Sequence, residues 1–142
     1  MSTTSKQEII DTPAATIERI NEDLMVVRFK PTAVLNAKAI ADNLEVRKRL
    51  ATIPYAVISI LPEEGDFDMS LFDQDHYGHI DPIEIMRVEA IVARDSTMRS
   101  MVQLFFAHYP QQRRAVQVFT HLQDAIIWVD ERLAERTAKA GT

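Results

Sequence analysis

YAVISIL, Tyr55 to Leu61, is a continuous apolar run bounded by Pro54 and Pro62. A half-exposed strand alternates apolar and polar residues; a run this short and this branched without alternation suits a strand covered on both faces. It predicts the central strand of a layered α/β domain, with Val57, Ile58 and Ile60 buried.

On the N-terminal side, ATIERI (Ala15 to Ile20) alternates, NED (Asn21 to Asp23) supplies turn residues, and LMVVRFK (Leu24 to Lys30) is rich in branched and aromatic residues. That pattern predicts a hairpin. Pro31 ends its second strand, because proline has no N–H for the ladder. NAKAIADNLEVRKRLA then predicts a helix capped by Asn36. At 100° per residue its apolar positions form two sides: Ala37, Ile40, Ala41, Leu44 and Ala51 on one, Val46 and Leu50 nearly opposite, with Ala39 and Asn43 beside them. The first side is expected to face the core and the second to face another layer or a partner.

On the C-terminal side, MRVEAIVA (Met86 to Ala93) and AVQVF (Ala115 to Phe119) predict two more strands, with Val88, Ala90 and Val92 buried. Between them DSTMRSMVQLFFAHY, stopped by Pro110, predicts a helix with Met98, Met101, Val102, Phe105, Phe106 and Tyr109 on a broad inner arc. LQDAIIWVDERLAERTA predicts a closing helix that buries Leu122, Ala125, Ile126, Val129 and Leu133. A hairpin followed by strand–helix–strand units makes an α/β sheet of about five strands, mostly parallel with an antiparallel hairpin edge. Residues 1–14 are expected to form a loose arm, 15–134 one domain and 135–142 a frayed tail.

Composition narrows the function classes. The chain has 142 residues, 46% hydrophobic and 26% charged, which is ample for one cored domain. It has no cysteine, so disulfides, thiol chemistry and thiolate metal sites are excluded. No apolar run approaches the length of a membrane span, and the first residues lack the basic and apolar halves of a signal peptide; a cytoplasmic location is expected. Net charge is -5 and the basic residues are scattered. The two dense basic spots, VRKRL (Val46 to Leu50) and QQRRA (Gln111 to Ala115), read as solvated positions, so nucleic acid is not an expected partner.

The order of elements resembles the STAS domain, the fold of anti-sigma factor antagonists and of the cytosolic domains of sulfate transporters. Two stretches, AIVARDSTMRSMVQLFF and VFTHLQDAIIWVDERL, are similar to small bacterial STAS-like, SpoIIAA-like proteins of unassigned function. The first matches their strand, Ser-containing turn, Arg and Phe-Phe helix; the second matches their closing strand and helix, with an acidic residue before Ala and then Trp. The resemblance implies a SpoIIAA-like fold and a non-enzymatic module that binds protein partners or itself. In antagonist-type members a serine after the third strand is phosphorylated, and Ser70 stands near that position. Here Leu71 replaces the family's glycine, and Glu63, Glu64, Asp66 and Asp68 would repel a phosphate. Ser70 is therefore expected to be a loop or cap serine rather than a switch.

Three further groups of residues merit a chemical reading. In ARDSTMR a strand ends and a helix begins, so Arg94, Ser96, Thr97 and Arg99 surround free backbone N–H groups and make a candidate anion site. Against it, Asp95 or Ser96 is a natural N-cap, and an aspartate there discourages anions. In DQDHYGHID, His76 and His79 have nearby carboxylates, but their spacing matches no established metal motif and a polar loop is expected. No metal and no cofactor are expected. Ile127 and Trp128, with Val46 and Leu50, are candidate contact residues; Trp128 either caps the core edge or anchors a contact with another subunit, so a homodimer is one expectation. A carrier of a small molecule, anion or lipid, using the crevice at the strand carboxyl ends, is the alternative function, and an enzyme of unrecognised type the third.

Overall fold

In the computed structural model the residues described are 8–51, 55–74, 86–110 and 115–140. The chain reverses first at Thr12, whose hydroxyl accepts from the Ala15 amide at 3.0 Å while its own amide donates to the Ala15 carbonyl at 2.7 Å. That turn joins β1 (Glu8–Asp11) to β2 (Ala15–Asn21). The Asn21 side chain accepts from the Asp23 amide, closing the next turn into β3 (Leu24–Phe29). A two-residue strand β4 (Val34–Leu35) leads into α1 (Ala37–Leu50), whose N-cap Asn36 accepts from the Ala39 amide at 2.8 Å. β5 (Tyr55–Ile60) follows, then β6 (Asp66–Phe67), a 3-10 turn (Met69–Asp73), β7 (Met86–Val92), α2 (Ser96–His108), β8 (Ala115–Phe119) and α3 (Leu122–Ala140).

The main sheet has six strands in the order β1-β2-β3-β5-β7-β8. The first two pairings are antiparallel and the remaining three parallel. β4 and β6 form a separate parallel pair. This is an α/β fold with a mixed sheet, and β5 lies inside it, with Ala56, Val57, Ile58 and Ser59 all buried and Ile60 half-buried. Alternation sorts its side chains between two cores. Tyr55, Val57 and Leu61 join Ile17, Met25, Val27 and Ile91 beneath α1 and α2. Ala56 and Ile58 join Val26, Val88, Ala90 and Val92 beneath Ala125 and Val129 of α3. Each fully buried aliphatic side chain of this kind contributes about 1.5–3 kcal/mol.

Four expectations are corrected. Glu8–Asp11 is not a loose arm but an edge strand in register with β2, which raises the strand count to six. α1 is rotated from its expected setting: Val46 and Leu50 are core residues, 4% and 6% exposed, while Ala37 and Ala41 face solvent. Burying a valine and a leucine removes more apolar surface than burying two alanines, so the helix turns its larger side chains inward. Leu122 is exposed at the first turn of α3, before the helix axis reaches the sheet core. Helical structure continues through Ala140, past the expected start of fraying. Among the described residues no helix is long and apolar enough to cross a membrane.

Candidate functional site

The rotation of α1 has a chemical consequence. Asn43 and Arg47, one helical turn apart, come inward with Val46 and Leu50. Opposite them β5 presents Tyr55 and Ser59 on the same face, and β7 presents Glu89, whose register partner is Val57, between those two positions. The result is a polar cluster inside the layer between the sheet and α1: Arg47 is 0% exposed, Glu89 2%, and Asn43 and Ser59 3% each. Arg47 Nε donates to the Tyr55 hydroxyl at 3.3 Å, and the guanidinium carbon lies 5.8 Å from the ring centre. Arg47 Nη1 stands 4.0 Å from Glu89 Oε2, an ion pair longer than a hydrogen bond. Ser59 Oγ donates to the same carboxylate oxygen at 3.3 Å.

Asn43, Ser59 and Glu89 also line a cavity whose other walls are mainly apolar, among them Phe29, Leu35, Leu61, Ile91, Val102 and Phe106. Its free interior volume is about 30 Å³, or about 440 Å³ when the space open to solvent is counted. Phe29, Ser59 and Ile91 place it toward the carboxyl ends of β3, β5 and β7, the edge where ligands meet open α/β sheets. Asn43 Oδ1 is buried there without a hydrogen-bond partner. An uncompensated buried acceptor costs about 1–3 kcal/mol, so such a group calls for an explanation.

The sequence reading missed this cluster. Arg47 was placed in a solvated basic spot, yet only its neighbours Lys48 and Arg49 face solvent. Carboxylates were expected in exposed stretches, and Glu89 is not in one. The signal available was a lone glutamate inside the apolar run RVEAIVA, opposite a strand that carries a lone serine in YAVISIL.

The expected anion site is differently arranged. Asp95 is the N-cap of α2, and its carboxylate accepts from the Met98 amide at 2.8 Å, the position an anion would need. Arg99 folds back, donating from Nη1 to the carbonyls of Ala93 at 3.0 Å and Arg94 at 3.4 Å. Arg94 reaches Glu63 at 2.8 Å in an exposed ion pair. Ser96 and Thr97 are exposed beside them.

Ser70 lies in the 3-10 turn and is exposed. Its amide donates to Asp68 Oδ1 at 3.0 Å, which makes Asp68 the cap of that turn. This backbone bond, and then the Ser70 hydroxyl, hold the Asp68 carboxyl below its ordinary pKa of 3.8. His76 and His79 lie outside the described residues.

Of the candidate contact residues, Ile127 is 49% exposed. Trp128 is half-buried, with its ring 5.6 Å from that of Phe119 on β8 and the Arg132 guanidinium 5.7 Å from its centre. Val46 and Leu50 are withdrawn as contact residues, because the subunit itself buries them. Compared with protein-family models, curated proteins and solved structures, the chain finds no match.

Proposed function

We propose that this domain is a non-enzymatic interaction module of the STAS-like, SpoIIAA-like type, and that it docks a second copy of itself through the free edge of β8. The hairpin, the later strand–helix–strand order and the two matching sequence stretches support the family reading. One observation carries the docking edge. The two outer strands of the sheet differ in character: β1, EIID, is bracketed by Glu8 and Asp11, whereas β8, AVQVF, has no charged residue. Soluble proteins normally protect a free edge with charge, so an uncharged branched edge is suited to pairing with another strand. Phe119 and Trp128 continue the apolar surface from β8 onto α3, with exposed Ile127 on the same helix. Binding rather than turnover follows from the interior, where Arg47 and Glu89 face each other instead of a reacting group.

Two β8 strands related by a twofold axis would pair antiparallel, with Gln117 near the axis. Its side chain is exposed, so Gln117→Lys leaves the fold intact while setting two like charges opposite each other. Sedimentation equilibrium at high micromolar concentration tests the reading: the wild type associates, and Gln117→Lys and Ile127→Glu shift it toward monomer. A wild type that stays monomeric removes the self-docking edge.

A further inference from the structure

We propose that the cavity beside Asn43 is a binding site for a small neutral molecule with a hydroxyl head and a short apolar tail. The walls set the tail: Phe29, Leu35, Leu61 and Phe106 offer only dispersion and apolar contact. The polar lining sets the head. Asn43 Oδ1 is an acceptor with no partner, and the Glu89 carboxylate is an acceptor too, so the incoming group has to donate. Ser59 Oγ, which spends its proton on Glu89, keeps lone pairs that can accept a second proton. Charge then excludes the ionic alternatives. A carboxylate would meet Asn43 Oδ1 and Glu89, both negative in character. An ammonium would gain little from Glu89, whose charge is already offset by Arg47 at 4.0 Å, and would lose its hydration on entry. A hydroxyl donates without that cost.

The interior volume limits the size. About 30 Å³ exceeds the roughly 10–15 Å³ that one water needs, but it does not admit a drug-sized ligand. A molecule of a few heavy atoms therefore extends into the space open to solvent, which half-buried Phe67 and Phe106 border. This site lies beneath α1 and α2 and is separate from the β8 edge, so each stands or falls alone.

The test is a nitrogen-15 NMR titration of the full chain with 1-butanol, n-butylammonium and butyrate. The expected result is saturable shifts at the Asn43 side-chain amide and the Ser59 backbone amide with 1-butanol, and binding roughly tenfold weaker or less for the two ions. Asn43→Leu should weaken 1-butanol by roughly tenfold. Ser59→Ala should weaken it in the same direction and serves if the first variant does not fold, as judged by near-ultraviolet circular dichroism. Shifts that do not saturate, equal binding of the three probes, or a 1-butanol affinity unchanged in the folded variants would overturn the proposal. So would a long-lived water at Asn43 that 1-butanol does not displace.

Discussion

The carboxylate of Glu89 and the guanidinium of Arg47 face each other across 4.0 Å with essentially no access to water. Two ions in an aliphatic core lose their hydration, and their attraction only partly compensates. Removing one leaves the other buried and unpaired. Glu89→Ala or Arg47→Met is expected to destabilise the domain by about 3–5 kcal/mol in urea denaturation. The double variant Arg47→Met/Glu89→Leu should recover most of that loss, since an apolar pair of similar volume is near neutral. A double variant as unstable as either single one would show that the pair itself is required.

Gly65 sits where a side chain has no room. A Cβ there would collide with the Ala33 carbonyl oxygen and lie 2.6 Å from Pro62 Cβ. The first of these is backbone beside β4, so the loop itself has to move. Gly65→Ala should therefore lower stability by about 1–3 kcal/mol, in the range of overpacked sites, and loosen the β4–β6 pair. Thermal unfolding of the variant checks this, and an unchanged midpoint would contradict it.

Asp68 couples stability to pH through Ser70. Its folded pKa lies below the ordinary 3.8, so the unfolded chain takes up the proton first as acid is added. The stabilisation is thus complete above pH 3.8 and is lost as pH falls through the depressed folded value. Asp68→Asn should flatten this part of the acid limb. Ser70→Ala keeps the amide bond and removes only the hydroxyl contribution, so at neutral pH it should change stability by less than about 0.5 kcal/mol. A larger change, or a tenfold change in self-association on phosphorylation, would restore Ser70 as a switch.

Asp95 caps α2 through the Met98 amide. Replacing it with alanine should cost about 0.5–2 kcal/mol. If the helix start is a structural cap rather than an anion site, Asp95→Ala will not gain measurable affinity for inorganic phosphate by calorimetry. Tight phosphate binding by that variant would show that Arg94, Ser96, Thr97 and Arg99 can act together once the aspartate is gone.

The sequence by itself determined the α/β class, the hairpin, the central strand and the caps at Asn36 and Asp95. These are local: alternation, branching, proline stops and capping side chains act within a few residues of chain. It also marked Val88, Ala90, Val92 and Phe105 as buried, because their elements have one obvious apolar set. Tertiary structure alone decided which side of α1 faces inward. Two apolar stripes of that helix compete on paper, and only packing against β2, β5 and β7 selects the one carrying Val46 and Leu50. That choice carried Asn43 and Arg47 inside with them, and the β5–β7 register brought Ser59 and Glu89 to meet them. Residues 43, 47, 59 and 89 share no local pattern. Their proximity is a property of the packed layers, and so is the cavity they line.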